Sequence, residues 1–130
     1  MKKPKITMNI TKEDLGYSAH AMVENISINT QGDTYDELRE MILEAVNLSF
    51  EDKGFTYTID DIEFAYDLKS FFAFYKVINA KALSERIGMN QSLLAQYIKG
   101  IKKPSPEQTK RILRGVQQIG RELSEVRFLF

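Results

Sequence analysis

The stretch RIGMNQSLLAQYIKGIKKPSP, residues 86–106, decides how the second half of the chain is read. Gly88 closes one short amphipathic run, AKALSERIG, and Gly100 closes the next, QSLLAQYIKG. Glycine after the last periodic residue is a helix-stop signal, so each run predicts a short helix. Two helices that cross closely need a small residue on the first. They also need a glycine able to take positive φ in the turn, and apolar residues on both sides to lock the crossing. Ser84, four positions before Gly88, is the small residue. Leu83 and Ile87 are apolar before the turn, and Met89, Leu94 and Tyr97 after it.

That packing assigns the polar residues of the second helix. Asn90 stands where an N-cap belongs. Gln91, Ser92, Ala95, Gln96 and Lys99 fall on the side away from Leu94 and Tyr97. Amide side chains can read adenine edges bidentately, serine can donate to bases or phosphate, and alanine leaves room for close approach or a thymine methyl. Lys99, Lys102 and Lys103 are placed to meet phosphates, which set affinity and register rather than sequence choice. The plain reading of these helices is a helical cap with a polar outer face. The downstream GIKKPSPEQ favours a nucleic-acid surface, because a basic loop before a capped helix suits gripping a phosphate backbone. Ser105 as N-cap, Pro106 at the first position and Gln108 reaching back mark the start of a long helix.

The first half has a different pattern. KITMNI (5–10) alternates apolar and polar residues, TKEDLG reads as a turn ending at Gly16, and YSAHAMV (17–23) and ISINTQ (26–31) follow as strands joined tightly through Glu24-Asn25. GDTYDELREMILEAVNLSFED then predicts an amphipathic helix. Thr34 and Glu37 form a capping-box pattern, and Leu38, Ile42, Ala45, Val46 and Ser49 recur at helical spacing. Gly54 ends it, and a further strand is centred on Ile62–Tyr66. From Asp67 the pattern is helical, with Phe71, Phe74 and Tyr75 spaced as core and Phe72 facing a neighbour. The expected division is therefore an α/β domain over 1–66 and an all-α domain over 67–130, an α+β fold class.

Charge divides in the same way. Residues 1–78 carry 8 Lys/Arg against 14 Asp/Glu, whereas residues 79–130 carry 10 against 4, although the whole chain sums to zero. An acidic half suits a basic protein partner and a basic half suits a polyanion. Cysteine is absent, which removes disulfides, thiolate metal sites and cysteine nucleophiles. No signal peptide or membrane span is read, and a cytoplasmic protein is expected.

No catalytic set is assembled, so no enzyme and no cofactor are expected. Asp33, Asp36, Asp60, Asp61 and Glu63 are the carboxylates that two-metal chemistry would draw on, but their positions at turns and a helix start are those of caps and solvated groups. His20 is the only histidine and has no second histidine or cysteine to complete a transition-metal site. A nucleic-acid enzyme with a helical targeting module is the reading these carboxylates would support.

ALSERIGMNQSLLAQYIKGIKKPSPEQTKRIL resembles the Cro/C1-type (XRE-like) helix-turn-helix family, with Tyr97, Gly100 and Lys102–Ser105 typical of it. It departs from that pattern at Leu93, where the family often carries a small polar residue; an exposed leucine there would pack on a sugar or a thymine methyl. YSAHAMVENISINTQGDTYDELREMILEAVNLSFED is similar to the N-terminal domain of HicB antitoxins, a partial ribonuclease-H-like fold, through Gln31–Thr34 and the helix after it. The Pro/Gly-containing hairpin usual in that family is absent between Met22 and Ser27. Together the resemblances imply an antitoxin of a type II toxin–antitoxin system. Its first domain would neutralise a small basic RNase toxin of the HicA kind, and its second would repress its own operon by binding operator DNA. The runner-up is a stand-alone Cro/C1-type regulator whose first domain senses a ligand or dimerises. A homodimer is expected because duplex half-sites are read by two-fold pairs. The apolar tail VRFLF is expected as a strand or clasp in subunit contact, with Val126, Phe128 and Phe130 alternating.

Overall fold

A computed structural model describes residues 2–129, which form two compact units divided between Phe74 and Tyr75. The class is α+β: the described residues form one four-stranded mixed sheet and five α-helices.

In the first unit, β1 (Ile6–Lys12), β2 (Tyr17–Val23) and β3 (Ile26–Gly32) form an antiparallel meander. β4 (Ile62–Tyr66) adds to the far side of β1 in parallel, giving the order β3-β2-β1-β4. Period-two alternation sends Ile6, Met8 and Ile10 of β1, Ala19, Ala21 and Val23 of β2, and Ile28 of β3 to one face. The opposite face presents Thr7, Asn9, Thr11, His20, Met22, Ser27, Asn29 and Gln31 to solvent.

The β2–β3 connection is the two-residue turn expected. Both of its residues, Glu24 (φ 48°) and Asn25 (φ 70°), are left-handed, as the turn that matches the twist of a tight hairpin requires. β1 runs two residues beyond the expected strand, to Lys12, and the turn then closes with Glu13 N–H donating to Gly16 O at 3.0 Å.

α1 (Tyr35–Phe50) covers the apolar face. Thr34 accepts from Glu37 N–H at 3.1 Å as expected, whereas the Glu37 carboxylate accepts from Asp33 N–H at 3.4 Å. The buried stripe is Leu38, Ile42, Val46 and Phe50, all fully enclosed. Ala45 and Ser49 of the expected set are only half-buried, and the Ser49 hydroxyl donates to Ala45 O at 2.8 Å. A stripe advancing four residues at a time drifts around the helix and reaches Phe50 instead. Gly32 fixes how closely the helix starts to the sheet: a Cβ there would lie 2.6 Å from Leu38 N.

α1 passes into a 3₁₀ turn, Glu51–Lys53, that ends at Gly54 in the left-handed conformation. The returning segment 55–58 is tied to α1 by Asn47. Its amide donates to Tyr57 O at 3.1 Å and accepts from Tyr57 N–H at 2.7 Å.

The division between units falls at Phe74/Tyr75, eight residues later than the expected 66/67, because α2 (Leu68–Phe74) belongs to the sheet. Buried Ser70 accepts from Lys12 N–H at 2.8 Å, and Phe74 stacks on Tyr17 with ring centroids 4.1 Å apart. Of the aromatics assigned to a core, Phe71 and Phe74 are half-buried in this unit, as is Phe72. Tyr75 lies beyond the helix and is exposed, so its predicted core position is not observed.

The second unit contains α3 (Ala80–Ile87), α4 (Gln91–Lys99) and α5 (Pro106–Ser124) around Leu83, Met89, Leu94 and Ile112. Residues Val126–Leu129 carry no regular structure, so the tail forms no strand within them; Phe130 of the expected alternation lies outside the described residues.

Candidate nucleic-acid interface

The candidate surface is built around the turn between α3 and α4. Asn79 caps α3 by accepting from Ala82 N–H at 3.0 Å. Gly88 ends α3 in the left-handed conformation (φ 67°), a backbone geometry that a Cβ disfavours, and Met89 N–H returns to Ser84 O at 2.8 Å. Asn90 then caps α4, its side chain accepting from Leu93 N–H at 3.1 Å. Of the apolar set predicted to lock this crossing, Leu83, Met89 and Leu94 are buried, and Ile87 and Tyr97 are half-buried. Ser84 is buried as predicted, and its hydroxyl donates to Lys81 O at 2.6 Å.

With Leu94 facing inward, the opposite side of α4 is directed outward. Asn90, Gln91, Ser92 and Lys99 are exposed, and Ala95 and Gln96 are half-buried. The residues 91, 92, 95, 96 and 99 recur at helical spacing and so share one face. Leu93 is half-buried rather than the exposed leucine expected. Past α4, Gln96 O accepts from Ile101 N–H at 2.9 Å and from Lys102 N–H at 3.3 Å, which folds the loop back over the helix end. Lys102 and Lys103 are exposed on that loop. The two ion pairs among the described residues, Lys3–Asp61 and Arg86–Glu122, involve none of Lys99, Lys102 and Lys103. One continuous segment, 90–103, therefore gathers all eight predicted site residues into a surface of amides, a hydroxyl and three unpaired cations.

Three supports of this surface escape a reading by motif. Arg111 of α5 donates from Nε to Ile87 O at 3.1 Å, and from Nη2 to Ile87 O at 2.7 Å and Gly88 O at 2.8 Å. A guanidinium thus satisfies the free carbonyls at the end of α3, where the helix dipole favours a cation. Gly115 lets α5 approach α3: a Cβ there would lie 2.4 Å from Ile87 Cγ2 and 3.3 Å from Leu83 Cδ1. Arg86 of α3 makes a two-pronged pair with Glu122 of α5, both bonds 2.8 Å, which lowers the Glu122 pKa and raises that of Arg86. The glycine in RILRGVQQ was the available sequence signal for the α3–α5 contact, since glycine inside an amphipathic helix marks close packing.

The carboxylates considered for catalysis are dispersed through the first unit. Asp61 accepts from Thr58 N–H at 2.8 Å and from Lys3 at 3.0 Å, contacts that hold its pKa down, and Glu63 accepts from Thr7 at 3.3 Å. Among the described residues no group of three or more His, Cys, Asp or Glu side chains is arranged to hold a metal ion. His20 stands exposed on the open sheet face. No helix among the described residues is long and apolar enough to cross a membrane. No protein-family model, curated protein or solved structure matches the chain.

Proposed function

We propose that the protein is a DNA-binding antitoxin and autorepressor: the second unit is a Cro/C1-type helix-turn-helix that binds operator DNA, and the first is a HicB-like, partial ribonuclease-H-like unit that binds and neutralises a small basic RNase toxin. The observation that carries the DNA half is the outward face of α4. It presents Gln91, Ser92 and Gln96 beside Lys99, Lys102 and Lys103, behind a glycine turn that Arg111 and Asn90 hold in place. A helix seated in the major groove needs that division between base-reading amides and phosphate-binding cations. Charge supports the division of labour. The first unit carries 7 Lys/Arg against 14 Asp/Glu, and the second 11 against 4. An acidic surface favours encounter with a basic RNase, and a basic one favours DNA.

Dimerisation is supported by α5 and the segment after it. Leu113, Leu123, Val126, Phe128 and Leu129 are all exposed there. Large apolar side chains left in water are what a second copy of the chain would cover.

The toxin half is tested by co-expression with the product of the adjacent gene. A small basic protein that arrests growth and degrades RNA when expressed alone, and loses both effects when this chain is present, is the expected result. Growth unaffected by any neighbouring gene product would remove the antitoxin reading and leave a stand-alone regulator.

A further inference from the structure

A shallow groove of about 480 Å³ runs along the C-terminal end of α1 in the first unit. One wall is formed by Glu44, Asn47 and Leu48 of α1 with Glu51 of the 3₁₀ turn, and the other by the returning segment Gly54, Phe55 and Thr56. The two Asn47–Tyr57 hydrogen bonds described above fix the spacing of these walls. Behind them, Phe50 stacks on Tyr57 with centroids 5.5 Å apart and meets Phe55 edge-on at 6.5 Å, so the groove is backed by packed rings. Leu48 is 63% exposed within it, whereas Leu38, Ile42, Val46 and Phe50 of the same helix are enclosed. Glu44, in α1, and Glu51, the first residue of the 3₁₀ turn, are seven positions apart, about 10 Å of helical rise. Neither forms an ion pair among the described residues. The cation nearest Glu51 in sequence, Lys53, has its ammonium 5.9 Å from the Phe50 ring centroid, and the one nearest Glu44, Arg39, has its guanidinium carbon 5.7 Å from the Tyr35 ring centroid.

We infer that this groove is the docking site for a cationic segment of a protein partner, with an apolar side chain against Leu48 and Phe55 and an Arg or Lys on each of Glu44 and Glu51. The inference rests on reading the first unit as the one that captures a basic protein, and it specifies where. Charge complementarity selects the occupant. The groove offers two unpaired carboxylates on either side of an apolar floor, in a unit with twice as many acidic as basic residues. Two basic residues a heptad apart on a helix, or about three residues apart on a strand, span the same distance. A central anchor surrounded by contacts that exclude water is the usual arrangement at a binding hot spot.

The test uses the full-length, isotope-labelled protein and a synthetic helical peptide carrying one leucine between two arginines a heptad apart. NMR shift changes confined to the groove residues are expected, with an affinity that falls as salt rises. Leu48→Ser combined with Glu44→Gln and Glu51→Gln should weaken peptide binding about tenfold or more. Because all three side chains are solvent-facing, thermal melting should be unchanged. Shift changes elsewhere, or an unchanged affinity in the triple variant, would overturn the proposal. So would concentration-dependent self-association that the triple variant abolishes, which would assign the groove to a second copy. The same variant separates the two levels of inference. If a basic toxin is still neutralised by it, the groove is refuted while the antitoxin reading stands. If the peptide occupies the groove and no toxin is found, the groove stands and the antitoxin reading fails.

Discussion

Three single residues carry consequences that can be measured independently. Glu24 adopts φ 48° in the β2–β3 turn, a conformation that costs an ordinary L-residue about 1–2 kcal/mol. Glu24→Asn should therefore stabilise the first unit by about 0.5–1 kcal/mol in a denaturant titration, since asparagine favours the left-handed region that this turn requires. Gly115 has no room for a side chain beside Ile87. Gly115→Ala should destabilise the second unit by about 1–3 kcal/mol through overpacking, seen as a lower melting midpoint for that unit. Arg111 satisfies two carbonyls at the end of α3 with a single planar fork. Arg111→Lys should recover only part of the stability lost in Arg111→Met, because an ammonium cannot reproduce the fork.

At the scale of elements, the Arg86–Glu122 pair joins α3 to α5, and its contribution depends on pH. Glu122 has a lowered pKa when folded, so its contribution is fully present above the ordinary glutamate value of about 4.3 and disappears as pH falls through the lower folded value. Both groups are exposed and screened, so the coupling is small. A double-mutant cycle at these two positions should show coupling at neutral pH and none in strong acid. Most elements were legible in the sequence because local signals agreed. Ser105, Asn90 and Thr34 each accept the cap bond expected of them, and β2 spans the expected 17–23 while β3 runs one residue past the expected 26–31, to Gly32. What was not legible depended on distant partners. α2 reads as part of a helical half, yet Phe74 stacks on Tyr17 and Ser70 bonds Lys12, contacts separated by more than fifty residues. The candidate site was legible as a set because its residues are contiguous, from Asn90 to Lys103. Its supports were not, since Arg111 and Gly115 act on α3 through tertiary packing that no motif contains.

For the molecule as a whole, the central feature is a neutral chain made of two oppositely charged units. Net charge alone would suggest weak affinity for DNA, but phosphate binding depends on the local surface. Affinity for DNA should accordingly fall steeply with salt. Lys102→Ala should weaken binding to all sequences alike and reduce the salt slope by about one unit, as removal of one phosphate contact does. The most direct test of the central claim is an anisotropy titration of the intact protein with labelled duplex from upstream of its own gene and with a scrambled duplex, comparing wild type with Gln91→Ala and Gln96→Ala. If the outward face of α4 reads bases, each substitution costs about 1–3 kcal/mol on the upstream duplex and little on the scrambled one. Equal affinity of the wild type for both duplexes, or equal losses on both, would contradict that claim.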